Sequence, residues 1–213
     1  MRFGVDEAGK GPVLGSMFAA AVLADPEDLP RGIADSKRLS PARREELAAT
    51  LRANESVEIG VAEIEPSLID DHATDMNTLT VRAQAEALAE VAADGHEGVV
   101  DAGDTDADRF GARVADRVDA HVTVDAEHGA DDAYPIVAAA SVIAKVERDA
   151  HVSRLDARHE GDVGSGYPGD ETTTSFLADY VAAHGDLPEC ARRSWETSRR
   201  LLAERDQTGL DEF

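Results

Sequence analysis

Two apolar runs, Arg2 to Asp6 and Val13 to Leu23, stand on either side of a glycine turn at Gly9 to Gly11. Such runs around a short glycine break predict a hairpin of two strands at the start of a sheet. Later segments can cover that sheet. Ser40-Pro41 opens a helix to about Arg52, with Ser40 as N-cap and Pro41 at the first helical position. Val57 to Ile64 alternates like a third strand, and Pro66 to Ala73 and Thr78 to Ala93 read as helices. Gly98 to Asp101 is a short apolar run ending in a carboxylate, Asp106 to Val118 a further helix, and Ala120 to Val124 a fifth strand. Beyond Asp131 the pattern is mainly helical, and no repeat or low-complexity linker interrupts it. The expectation is an α/β core of about five strands followed by helices. With 213 residues and 42% hydrophobic content, one domain can bury its own core.

The charge sets a puzzle. Against 21 Lys and Arg stand 44 Asp and Glu, a net charge of −23, which repels nucleic acid. The acids are spread along periodic segments rather than gathered in a tail, and Arg outnumbers Lys 18 to 3. This favours a globular surface adapted to molar salt over an acidic solvating chain. At 1 M salt the Debye length falls to about 3 Å, so the repulsion is screened. The three lysines, Lys10, Lys37 and Lys145, all fall in segments that stand out for other reasons. A single cysteine, Cys190, cannot form an internal disulfide, and no run has the length of a signal peptide core or a membrane span. A soluble cytoplasmic enzyme is expected, with no membrane partner.

The chemistry starts at Gly4-Val5-Asp6-Glu7-Ala8-Gly9-Lys10-Gly11-Pro12. The run imitates the G-x-x-x-x-G-K phosphate loop and fails at Gly11, where Ser or Thr should hold Mg²⁺. Asp6 and Glu7 would also put negative charge where phosphate oxygens must meet backbone N–H groups. Carboxylates at a strand end can instead hold Mg²⁺ or Mn²⁺, which in turn hold phosphate. Adjacent strand residues face opposite sides, so both acids reach one point only if the strand ends or bulges here. Taken alone, the segment also fits an exposed acidic turn. Asp101 is a second acid at the end of an apolar strand. The run through Asp104, Asp106 and Asp108 fails as a calcium loop, because Arg109 stands where glycine is needed and Ala115 where Glu should close it. Those three read as helix-starting or solvated acids. The pair Asp131-Asp132 precedes a helix of small residues, Ala138 to Lys145, whose side chains allow close packing on a sheet.

Five segments in order resemble ribonuclease HII of the archaeal branch: Asp6 to Pro12, Asp35-Ser36-Lys37-Arg38-Leu39, Asp101, Ala139 to Asp149, and Gly164-Ser165-Gly166-Tyr167-Pro168. The resemblance covers Arg2 to about Trp195. It implies a ribonuclease H-like mixed sheet of about five strands flanked by helices, with a catalytic domain over 1–160, a C-terminal helical extension over 161–206 and a flexible tail over 207–213. It implies four metal-binding, catalytic carboxylates at Asp6, Glu7, Asp101 and Asp131, with Asp132 an equally acidic neighbour of the last. Two Mg²⁺ or Mn²⁺ ions during catalysis follow from the same resemblance. So do substrates of RNA/DNA hybrid and of duplex DNA carrying ribonucleotides, cut on the 5′ side to leave 5′-phosphate and 3′-hydroxyl ends. A sister ribonuclease HIII shares the Gly-Lys-Gly turn.

Only the 2′-hydroxyl tells RNA from DNA at a given sugar. The family reads it with a Gly-Arg-Gly turn and a distant tyrosine, which correspond to Gly9, Lys10, Gly11 and Tyr167, with lysine where arginine is commoner. Ser36, Lys37, Lys145 and Arg148 are assigned to phosphate or structural contacts, and for Lys145 a bond to a nearby acid is an equal reading. Trp195 and Cys190 are expected to pack. The last seven residues follow a Gln-x-x-Leu-x-x-aromatic pattern through Gln207, Leu210 and Phe213 that resembles a sliding-clamp-binding peptide; a frayed terminus is the other reading. The chain is expected to be a monomer. A phosphate-loop nucleotidase and a non-catalytic acidic binding module are the readings from other classes.

Overall fold

A computed structural model of the chain describes residues 1–33 and 39–210, with side chains to residue 207. In chain order the elements are β1 (Arg2–Ala8), β2 (Met17–Ala24), α1 (Pro41–Ala53), β3 (Glu58–Ile64), α2 (Pro66–Ile69), α3 (Met76–Ala89), β4 (Glu97–Asp101), α4 (Ala107–Ala115), β5 (Thr123–Glu127), α5 (Ala130–Ala133), α6 (Pro135–Asp156), α7 (Glu171–His184) and α8 (Glu196–Leu210). The chain sorts into two compact units. The first comprises Met1–Ala8, Phe18–Glu63 and Asp75–Arg148; the second comprises Gly9–Met17, Ile64–Thr74 and Asp149–Phe213.

The first unit holds a mixed five-stranded sheet in the order β3-β2-β1-β4-β5. β1 pairs antiparallel with β2 and parallel with β4, and β4 pairs parallel with β5. Every residue of β2 is buried, as a strand covered on both faces requires. Its side chains Ala20, Val22 and Ala24 pack with Ala139, Ala140 and Ile143 of α6 and with Leu47 and Leu51 of α1. The small residues of α6 let that helix lie close on the sheet. At Gly4 the approach is so tight that a Cβ would overlap the backbone of Ile136 and Val137. Helix starts coincide with their side-chain caps: Ser40 accepts from the Arg43 amide, Asp75 from Thr78 and Asp106 from Arg109.

Several boundaries differ from those the sequence suggests, among them the ends of α3 at Ala89 and α4 at Ala115. β2 begins at Met17 rather than Val13, so residues 9–16 form a long connection instead of a tight hairpin turn. The reason lies within the second unit, where the Val13 and Leu14 amides donate to the Gly166 carbonyl and both side chains join a core with Phe176 and Leu177. β5 runs over Thr123–Glu127 because its ladder sets Thr123 against Glu97 and Glu127 against Asp101. α2 stops at Ile69, and the Asp70 carboxylate beyond it accepts from the Arg193 and Ser194 amides. α3 starts at Met76 rather than Thr78 because Asp75 caps it.

Gly4→Ala should cost about 3 kcal/mol or more, since backbone cannot move aside as a side-chain tip can. Thermal unfolding of that variant, beside an alanine exchange at the exposed Gly169, measures it.

Candidate active site

Within the first unit, the parallel pairing sets Phe3 against Gly98 and Val5 against Val100, so Asp6 and Asp101 occupy the next step at the carboxyl ends of adjacent strands. Strand order reverses here, with β2 on one side of β1 and β4 on the other, which is where open α/β sheets place their ligands. β1 stays in register through Ala8, with Asp6 opposite Ala20 and Glu7 opposite Ala19. The expected bulge is absent from this strand, and the pleat sends the two acids to opposite faces. Asp6, only 5% exposed, meets the hydroxyl of Ser141 on α6 and accepts the Glu7 amide at 2.7 Å. Glu7 leaves on the side of α3, where Gln84 Nε2 donates to its Oε2 at 2.6 Å.

The same Gln84 nitrogen donates to the Asp101 carbonyl at 2.9 Å, and Asp101 Oδ1 accepts the Ala130 amide at 2.7 Å. Gly129 adopts a left-handed φ of 66° just before it, a turn that favours glycine, and delivers Ala130 to that bond. Asp131, next in the chain, is buried, whereas Asp132 is exposed. The Lys145 ammonium donates to Ser141 Oγ at 2.7 Å, so it reaches Asp6 through one hydroxyl.

Burial first, then the charges of Glu7 and Asp101, hold the Asp6 carboxyl well above the usual carboxylate range, although Ser141 and the Glu7 amide pull it down. Three acids thus sit close enough to oppose one another's ionisation. Among the described residues, no three Asp, Glu, His or Cys side chains form a ready-made ligand set for an ion. Asp6 and Glu7 are instead each bonded to protein donors, Asp6 to Ser141 and the Glu7 amide and Glu7 to Gln84. The donor chemistry nevertheless fits a hard divalent cation, because every candidate ligand is a carboxylate oxygen and a cation offsets their repulsion.

Asp104 departs from the expectation of a solvated acid. It is buried, bonded to Arg109 at 2.8 Å and to the Thr105 amide at 2.7 Å. Those bonds hold its carboxyl below the usual range, with Arg109 the larger cause. Asp106 is the N-cap of α4, and Asp108 is an exposed acid in its first turn, as expected of a helix-starting or solvated acid.

In the second unit, the glycine turn is gripped by a residue that no sequence motif singled out. Arg192 is fully buried and donates to three carbonyls: Gly9 at 2.6 Å, Lys10 at 2.9 Å and Gly15 at 2.9 Å. Trp195 lies against its guanidinium and donates to the Gly11 carbonyl at 3.2 Å. In a trans peptide the N–H points opposite to the preceding carbonyl, so this grip turns the Lys10 and Gly11 amides away from Arg192. The ring of Tyr167, 42% exposed, stands 3.7 Å from where a Cβ on Gly11 would lie. Cys190 packs as expected, and burial pushes its thiol up to about 11.

Ser36 and Lys37 lie outside the described residues, as does Phe213. Arg148 is half-buried on α6, and Gln207 is an exposed residue of α8, whose backbone runs on to Leu210. Gln84 is the second residue the sequence did not reveal, although a signal exists: it shares a helical stripe, four residues apart, with buried Thr80 and Leu88, a polar group on an apolar face.

The ribonuclease HII family profile matches residues 3–198. The chain belongs to the ribonuclease HII family. It is 64% identical to a ribonuclease HII of Halobacterium salinarum over 212 residues, covering all of this chain and 99% of that one. Among solved structures it resembles ribonuclease H2 of Pyrococcus horikoshii, with a TM-score of 0.88, 36% identity, and 96% of this chain and 98% of that one covered. It also resembles the ribonuclease HII of Archaeoglobus fulgidus solved in a complex with PCNA, with a TM-score of 0.83, 37% identity, and 94% and 96% covered. The protein is therefore a ribonuclease H, a metal-dependent endonuclease acting on the RNA of RNA/DNA hybrids, on the mixed sheet its sequence implied. Relatives of this kind agree with a surface adapted to high salt. Among the described residues, no helix is long and apolar enough to cross a membrane.

Proposed function

We propose that this ribonuclease HII cuts on the 5′ side of ribonucleotides embedded in duplex DNA, as well as in longer hybrids, leaving 5′-phosphate and 3′-hydroxyl ends. Asp6, Glu7, Asp101 and Asp131 are the residues to hold two Mg²⁺ or Mn²⁺ ions. The observation that carries this reading is geometric: buried Asp6 is gathered with Glu7 and Asp101 at the carboxyl ends of the adjacent parallel strands β1 and β4, with Gln84 bonded to both strand ends. Held by these carboxylates, divalent cations would supply the activation of a water and the neutralisation of charge on the leaving oxygen. The protein's part is orientation: Ser141 aims Asp6, and Lys145 fixes Ser141. Burial of Asp131 beside the Ala130 anchor supports it over Asp132 as the fourth acid.

Recognition of the 2′-hydroxyl falls to the Lys10 and Gly11 amides and to Tyr167, with Gly9 giving the turn its shape. Its backbone character makes lysine at position 10 compatible with that role. Ser36, Lys37 and Arg148 serve phosphate contacts. Such contacts contribute little affinity in molar salt, where counterion release is weak, so metal and 2′-hydroxyl contacts dominate. The enzyme acts as a cytoplasmic monomer, with 161–206 as a helical extension of the catalytic domain. A second reading concerns Gln207, Leu210 and Phe213: spaced three apart, they suit docking on a sliding clamp, and the PCNA complex of the Archaeoglobus relative favours it.

Asp6→Asn should abolish Mg²⁺- or Mn²⁺-dependent cleavage and leave the circular dichroism spectrum unchanged. The sign of its stability effect is also fixed. A carboxyl raised by the fold contributes stability fully below its unfolded value, and that contribution is lost as pH rises from there through the raised folded one. At neutral pH, in chelator, the variant should therefore be more stable by about 0.5–2 kcal/mol. Cleavage at wild-type rate overturns the assignment. Tyr167→Ala should lower kcat/KM at a lone ribonucleotide about tenfold, equivalent to ~1.4 kcal/mol; no change there removes Tyr167 from recognition. Deleting residues 207–213 should abolish pull-down by the clamp, and full retention ends the clamp reading.

A further inference from the structure

Gln84 is fully buried on α3, and its single Nε2 group joins the ends of two parallel strands, donating to the Glu7 carboxylate at 2.6 Å and to the Asp101 carbonyl at 2.9 Å. Nothing in the packing demands an amide there. Thr80 and Leu88, four residues to either side, are buried, and Ala83, Ala85 and Ala87 around it are apolar. At the other end of the amide, Gln84 Oε1 is buried and has no hydrogen-bond partner among the described residues. Burying an acceptor without a partner destabilises a fold, and an apolar side chain of equal size would avoid it. A group kept in spite of that penalty is best explained by what its donor end does.

The donor end holds Glu7. Glu7 points to the α3 face with three rotatable side-chain bonds, and the short bond from Gln84 narrows the positions its carboxylate can take at the end of β1. Asp6 has two partners of its own, Ser141 and the Glu7 amide, and Asp101 has the Ala130 amide. We propose that Gln84 is a positioning residue of the active site: its amide fixes the Glu7 carboxylate relative to Asp101, and thereby sets how tightly the acids hold a divalent cation. This rests on the reading of Glu7 and Asp101 as metal-holding acids. Gln84 itself touches neither substrate nor ion. Groups that hold a metal's ligands in place typically change its affinity by about 10–100-fold when removed.

The test is Gln84→Met, which keeps the volume and removes both polar ends. Activity is measured against Mn²⁺ concentration, with KM for a hybrid duplex and the melting temperature measured alongside. The half-saturating Mn²⁺ concentration should rise about tenfold or more, with KM for the duplex unchanged; the melting temperature, which gains from removing the unpartnered Oε1 and loses the two Nε2 bonds, serves only to show that the variant is folded. A merely structural role would leave the metal curve in place whatever the melting temperature does, and that result overturns the proposal. Gln84→Glu sets a like charge against Glu7 and should raise the half-saturating concentration further. A direct Mn²⁺ titration by calorimetry, which needs no turnover, should weaken in Gln84→Met but not weaken further when Glu7→Gln is already present; additive losses place its action elsewhere and refute the coupling. Asp6→Asn separates the two levels. If that variant cleaves normally, the carboxylate reading itself has failed. If it is inactive while Gln84→Met behaves as wild type, only the role of Gln84 falls.

Discussion

The first unit is organised around the repulsion between acids that the fold gathers and buries. Moving an isolated carboxylate out of water is strongly unfavourable, and a second acid beside it adds to the penalty. Here Asp6 is buried with Glu7 and Asp101 acting on it, and the surroundings answer with directed donors: Ser141 to Asp6, Gln84 to Glu7, Ala130 to Asp101. Each donor comes from a different helix, so the sheet and its layers have to be complete before the site exists. The tight contact at Gly4 belongs to the same design, since it brings α6 and therefore Ser141 down onto β1. Stability is given up at this point for a function that needs concentrated negative charge.

Much of this was readable from residue types. The acids at the ends of apolar runs, the small-residue helix and the caps at Ser40 and Asp106 are local signals, and their elements appear where expected within a few residues. Long-range preferences left no such mark. Val13 and Leu14 look like strand because they are apolar, yet their amides and side chains are claimed by Gly166 and the core of the second unit, far along the chain. β5 starts at Thr123 rather than Ala120 because register belongs to the ladder with β4 and not to its own composition. Asp104 read as solvated because its partner Arg109 becomes visible only once α4 turns back toward it.

The two residues that sequence reasoning missed share a cause. Arg192 and Gln84 act on atoms 182 and 77 positions away, and no local pattern links either residue to its partners. Backbone carbonyls are the same at every position, so no motif search can tell that Gly9, Lys10 and Gly15 converge on one guanidinium. The five matched segments, by contrast, mark groups whose own side chains or turn conformations do the work. A buried arginine in so acidic a chain is itself a clue, since surface pairing cannot explain it.

The net charge of −23, which at first sight argues against a nucleic-acid enzyme, is compatible with this division of labour. Most of the acids lie on exposed or half-buried positions, whereas the recognition proposed for a ribonucleotide uses neutral backbone amides of the turn and a phenol. An amide donor to a hydroxyl is a short-range bond that salt does not screen. On the proposed reading the acids of the first unit also suit a salt-rich setting, because their link to phosphate would pass through a divalent cation held by several oxygens at once rather than through exposed ion pairs. Specificity built on the 2′-hydroxyl and on metal coordination can survive ionic strengths that erase phosphate contacts, and such a chain is free to carry an acidic surface.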